Sequence, residues 1–251
     1  MRKLILILFS LTLIACQKAE ESPISSGNYS NDSDNSDQVD CDYTYPEIGG
    51  LLIDIDSWDG MDPGVAGDFN FDSGYTYDKH IYAFGEFISA TKQLGNIEFH
   101  PSQSAQVISP VDGIIETIVE NSPLATKGYE IFIKTKSDSC FTIIIDHVRN
   151  LAVTEGQTIS IGTLLGTPGQ FGASLGQVEL QINDDKEKKA WCAMAFMDSA
   201  TRAAYNAKID DFRSDWENLI NDPSVYDESK DSNGSGLCHF ESLLESEIVN
   251  E

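Results

Sequence analysis

The sequence predicts a mainly β protein: a small, curled antiparallel sheet or barrel followed by a C-terminal amphipathic helix. Two patterns predict it. Between Val107 and Asn183, short runs of β-branched and aromatic residues are punctuated by glycine. Glycine tolerates the positive φ that tight turns between short strands demand. Between Asp198 and Asn221, Tyr205, Ile209, Phe212, Trp216 and Leu219 fall at steps of 4, 3, 4 and 3, one apolar stripe on a helix. A third observation, that 41% of the 251 residues are hydrophobic, says there is material for a core.

Taken in chain order, the first element is not part of that fold. Arg2 and Lys3 precede an apolar run from Leu4 to Ile14, too short to span a bilayer and suited to a signal peptide. The run ends in Leu13-Ile14-Ala15-Cys16, which resembles a bacterial lipobox. Residues 1–15 are therefore expected to be removed, leaving Cys16 lipidated and the protein anchored in a cell-envelope membrane. Gln17 in place of Asp after that cysteine points to the outer membrane. Residues 16–40 are rich in Ser, Asn, Asp and Glu and hold too little apolar surface to offset chain entropy, so they read as a disordered acidic tether.

Residues 41–106 read as the N-terminal, β-rich part of the domain. Leu51-Leu52-Ile53 and Ile81-Tyr82-Ala83-Phe84 are expected strands. Asp54, Asp56, Asp59, Asp62, Asp68 and Asp72 lie between them without calcium-loop spacing, and read as a solvated acidic loop. Residues 107–183 form the expected β core. Strands are predicted at Ile114–Val119, Glu130–Lys134, Phe141–Ile145 and Gln177–Ile182, with turns at Pro110–Gly113 and Lys136–Ser139. Residues 184–251 form a helical extension. Its helix is capped by Asp198 or Ser199 and stopped before Pro223.

Acidic residues number 41 against 16 basic ones, a formal net charge of -25. Such a surface repels phosphate backbones and anionic lipid, which argues against nucleic acid as a partner. Apart from Cys16, four cysteines remain: Cys41, Cys140, Cys192 and Cys238. In an exported chain they are disulfide candidates, with three pairings open. Cys192 with Cys238 and Cys41 with Cys140 is favoured, because the first pair brackets one helical segment.

Val107 to Pro110-Val111-Asp112-Gly113, Asp146-His147-Val148, the glycines 156, 162, 166 and 169, and Gly176-Gln177-Val178-Glu179-Leu180-Gln181 occur in the order of one family. Over about a third of the chain the sequence resembles the lysostaphin-type zinc metallopeptidases that cut peptidoglycan cross-bridges. The resemblance implies the sheet groove called a duplicated hybrid motif. It places His147 at a catalytic histidine. The family's His-x-His pair becomes Gln177-Val178-Glu179, so Glu179 stands for a zinc ligand and Gln177 for a catalytic base. The family's His-x-x-x-Asp motif becomes Leu94 and Glu98, or in a second alignment His80 and Phe84. The metal candidates implied are His80, Glu98 and Glu179, with Gln177 and Glu179 lining the groove. Too few imidazoles remain for zinc in its usual coordination.

The expectation is therefore a pseudoenzyme that needs no cofactor, binding a cell-wall glycan or peptide or an envelope protein. The alternatives are an active zinc endopeptidase with altered ligands, and an interaction platform with no groove ligand. His100 and His239 have no spacing partner and are expected at the surface.

Overall fold

A computed structural model describes residues 40–75, 77, 79–87, 93–121, 128–172, 174–232 and 235–248. The expected signal peptide, Cys16 and all of the tether but Asp40 lie outside the described residues.

The fold is one large antiparallel sheet with a single α-helix among the described residues. A small hairpin of β1 (Gly64–Ala66) and β2 (Phe69–Phe71) stands apart from it. The large sheet takes β3 (Ile81–Tyr82), β4 (Ile97–Phe99), β5 (Val107–Ile108), β6 (Gly113–Asn121), β7 (Gly128–Lys134) and β8 (Phe141–Arg149). It continues with β9 (Thr158–Ile159), β10 (Leu164–Phe171), β11 (Leu175–Asp184) and β12 (Lys189–Trp191). After α1 (Ser199–Ile220) comes β13 (Ser242–Leu244). The main path runs β13-β12-β11-β10-β8-β7-β6-β9, with β3 and β4 joined through β11 and β5 through β10.

The sheet is open, which corrects the barrel alternative. The terminal strands of the path, β9 and β13, are two and three residues long. Short edges of this kind limit edge-to-edge pairing without closure. The expected strand at Leu51–Ile53 is also absent. These side chains are almost wholly buried, and the backbone carbonyl of Leu52 accepts a bond from Ile108 N at 3.0 Å. Their apolar run reflects burial, not pairing.

Strand β11 organises the site. One of its edges meets β8, from Glu179 opposite Asp146 to Asp184 opposite Phe141. The other meets β4, with Glu179 opposite Glu98. Successive side chains point to opposite faces. Val178, Leu180 and Ile182 therefore enter the core with Ile97, Phe99, Ile143 and Ile145. Gln177, Glu179, Gln181 and Asn183 take the other face. Strands β10 and β11 pair antiparallel, with Gln170 opposite Gly176.

Helix α1 starts at Asp198, whose carboxylate accepts from Ala200 N at 2.8 Å and Thr201 N at 3.1 Å. It ends at Asn221 in the left-handed region. Ile209, Phe212 and Trp216 are buried, while Tyr205 and Leu219 are only partly so. Arg213 lies on the same buried side, paired with Asp231 at 2.8 Å. The disulfides are Cys41–Cys140 and Cys192–Cys238.

Candidate functional site

The candidate site is a row of acidic side chains abreast on the polar face of the sheet. Register places Tyr82 opposite Glu98, Glu98 opposite Glu179, and Glu179 opposite Asp146. Glu130 of β7 comes next. Like charges opposite one another across strands repel, so the neighbouring groups that offset them define the site.

The backbone of β8 sets where two of these groups point. Tyr129 pairs with Val148 and Ile131 with Ile145, so Asp146 and His147 together face the single residue Glu130. That is a β-bulge, a device that re-aims side chains. His147 sits at φ 59, a left-handed backbone uncommon outside glycine. Two glycines make room for it. A Cβ on Gly128 would lie 3.3 Å from His147 Cα, and one on Gly169 would lie 3.0 Å from His147 O and 3.1 Å from its Cβ.

The side chains meet as follows. His147 Nε2 lies 3.4 Å from Glu179 Oε1 and 3.8 Å from Asp146 Oδ2. Gln177 Nε2 donates to Glu98 Oε1 at 2.9 Å and to Glu179 Oε1 at 3.1 Å, bridging both carboxylates. Asn96 Nδ2 donates to Glu179 Oε2, and Asn121 Nδ2 to Asp146 Oδ1. His100 Nε2 lies 2.6 Å from Glu98 Oε1. Burial pushes the Glu179 carboxyl above its usual range. His147 draws it back, and Glu98 and Asp146 add to the rise. Glu130 is raised by burial first, then by Asp146 and Glu179.

The structure thus brings together Glu98, His147, Gln177 and Glu179. It does not bring His80. That ring lies in the core beside Phe69, Phe71, Phe212 and Trp216, with Nδ1–H donating to the carbonyl oxygen of His100 at 3.1 Å. His100 is a correction in the opposite direction. It is 1% exposed, its ring centroid 4.0 Å from that of Phe171. His239 is half-buried, which lowers its pKa, and it takes no part in the row.

Asn96, Asp146, Asn121 and Glu130 were missed as well. One signal was available: in Asn96-Ile97-Glu98-Phe99-His100 polar and apolar residues alternate, which puts all three polar groups on one strand face.

The residues do not fit zinc where the resemblance would put it. Leu94, at the family's first ligand position, offers no donor atom and is buried. The Glu98 oxygen facing Gln177 already accepts that amide and meets His100.

Fold and site together define an antiparallel β-sheet protein with an acidic, histidine-bearing row of polar groups across four strands. No known protein family's profile matches the chain. Among solved structures it is similar to lysostaphin in solution, at 17% identity over 48% of this chain and 52% of that one, TM-score 0.41. It is also similar to the catalytic domain of lysostaphin from Staphylococcus simulans, at 17% identity over 43% and 80% of the two chains, TM-score 0.36. A zinc containing peptidase from Vibrio cholerae gives 13% identity over 57% and 38%, TM-score 0.37. Among curated proteins, cytochrome f of Cyanidium caldarium is 30% identical over 104 residues, 41% of this chain. The chain spans 32% of the length of that relative.

Proposed function

We propose that this is a cell-envelope lipoprotein whose peptidase-like β domain binds a cell-wall peptide or glycan, or an envelope protein, without cutting it. The observation that carries the reading is the Gln177 amide. The resemblance sets it where the family carries a catalytic imidazole, and its Nε2 ties Glu98 to Glu179. A carboxamide cannot take a proton from water at neutral pH, so the site lacks one of the bases the family's chemistry uses.

Several features support the setting. Two disulfides fit an oxidising compartment outside the cytoplasm. No helix among the described residues is long and apolar enough to cross a membrane. The N-terminal sequence predicts attachment through a lipid on Cys16.

Purified protein incubated with peptidoglycan is expected to release no new peptide termini, with or without added zinc. It is expected to co-sediment with the insoluble wall. Asp146→Lys, which reverses a charge in the row, should weaken that co-sedimentation several-fold. Release of termini that a chelator abolishes would overturn the reading.

A further inference from the structure

We propose that the polar row holds a first-row divalent metal ion on Asp146 Oδ2, His147 Nε2 and Glu179 Oε1. This place is one strand away from that of the family's zinc, and only Glu179 is shared with the ligand set the sequence implied. The inference rests on the same face of the sheet as the binding reading, but not on whether the protein cuts anything.

Spacing is the first argument. Donor atoms of the three residues lie within 4.8 Å of one another. His147 Nε2 stands 3.4 Å from the Glu179 oxygen and 3.8 Å from the Asp146 oxygen. With metal–ligand bonds of about 2.1–2.2 Å, two donors on one ion stand between about 3.0 and 4.4 Å apart, and both separations from His147 fall in that range.

The second argument is how each carboxylate is held. Asn121 takes Asp146 Oδ1 and leaves Oδ2 towards His147. Asn96 takes Glu179 Oε2, while Gln177 steadies Oε1 from one side. Amides that hold a carboxylate in place are the outer support that metal ligands require, and Oε1 of Glu179 keeps a lone pair beside the one Gln177 uses. The bulge does the same for the imidazole, bringing Asp146 and His147 to one face at the cost of a left-handed backbone. Backbone strain of this kind persists where the surroundings over-determine it, often at ligand sites.

A third observation is independent of the triad. Asn96 is 9% exposed, and its Oδ1 is buried with no hydrogen-bond partner. The nitrogen of the same amide is bonded to Glu179. A buried acceptor without a donor costs about 1–3 kcal/mol. A water bound to a cation beside Glu179 would supply that donor.

One imidazole nitrogen with two carboxylate oxygens favours manganese, iron, cobalt or zinc over calcium and magnesium, which prefer all-oxygen shells. Asp146 and His147 keep 25% and 22% of their side-chain surface exposed, so the ion's remaining positions face the open side of the sheet. There an oxygen of a bound peptide or glycan could complete the shell.

The test is Mn2+ titration of the metal-free full chain, followed by electron paramagnetic resonance, with elemental analysis of protein dialysed against Zn2+. About one ion per chain is expected. The near-isosteric changes Asp146→Asn and Glu179→Gln, and also His147→Ala, should each weaken binding at least 10-fold. His80→Phe, which alters another candidate from the sequence, should leave it within about 3-fold. Mn2+ should raise the melting temperature of the wild type but not of Glu179→Gln, which separates lost binding from lost folding. Absence of stoichiometric binding, or binding that survives all three ligand changes, overturns the proposal. Wall binding by a protein that takes up no metal would sink this inference and leave the binding reading standing. Metal uptake together with wall cleavage would uphold it and sink the non-catalytic reading.

Discussion

The imidazole of His80 stacks on Phe71 with ring centroids 5.7 Å apart and planes 3° from parallel, and it meets Trp216 edge-on at 4.4 Å. Burial there holds its pKa down to about 4, against 6.5 for an ordinary histidine. The folded chain therefore refuses a proton that the unfolded chain accepts. Stability is at its full value above about pH 6.5, falls as the pH drops towards 4, and changes no further from this group below that. The size follows from linkage at about 1.4 kcal/mol per pH unit, so about 3 kcal/mol in all. Replacing His80 with Phe removes the titrating group and keeps a ring in the aromatic cluster. Urea unfolding of both proteins at pH 7 and pH 4.5 should show the wild type losing about 2–3 kcal/mol more than His80→Phe. Equal losses would mean that the ring is protonated as readily in the fold as outside it. His147 differs from His80 in its surroundings, partly exposed and set beside carboxylates. Sequence gave the two histidines equal standing as site candidates, because neither burial nor aromatic contacts across the chain are visible in local spacing.

At the level of elements, the bulge in β8 depends on glycine in the strand beside it. A methyl group on Gly169 would press on the carbonyl oxygen and Cβ of His147, both backbone-fixed positions with no soft side chain to yield. Gly169→Ala should therefore cost about 1–3 kcal/mol by overpacking. It should also turn His147 away from Glu179, whereas Gly156→Ala, with open space around it, carries only the strain of its positive φ. Thermal melts of the two variants, with nuclear magnetic resonance shifts of the His147 ring, separate the effects. An undisturbed ring in Gly169→Ala would refute the dependence. The long strands β6, β7, β8 and β11 were legible in sequence, since β-branched runs between glycine or polar turns carry their own period. Strand β4 was not. Its alternation runs only from Asn96 to His100, and nothing local shows that β11 pairs with it. Asn96, just before it, was hidden with it, although Glu98 itself was a candidate. The bulge was equally invisible, because it is defined by the register of β7 against β8 and not by the residues of either strand.

On the scale of the whole molecule, two covalent links hold the ends of the described chain to the sheet. Cys41–Cys140 closes a separation of 99 residues and joins the N-terminal segment to the start of β8, where Asp42 and Cys140 also exchange a backbone hydrogen bond of 2.9 Å. Cys192–Cys238 closes 46 residues, tying the chain just after β12 to the segment that leads into β13. Loop-closure entropy assigns about 4.7 kcal/mol to the longer loop and about 4 kcal/mol to the shorter. A domain of ordinary stability, about 5–15 kcal/mol, is therefore expected to survive loss of one link and to be marginal without both. The two losses should differ in where they act. The site lies on β4, β7, β8 and β11, and the shorter link touches none of these strands directly. Cys192→Ser with Cys238→Ser should lower the unfolding midpoint and speed amide exchange in β12, β13 and the Leu237 region. Exchange at Glu179 and Asp146 should stay slow, and Mn2+ uptake unchanged. Cys41→Ser with Cys140→Ser releases the N-terminal end of β8, whose other end carries the bulge. It should speed exchange along β8 from Phe141 onwards and weaken metal uptake measurably. Exchange that rises uniformly in both variants would show that the sheet opens as one cooperative unit and that neither link guards the site in particular.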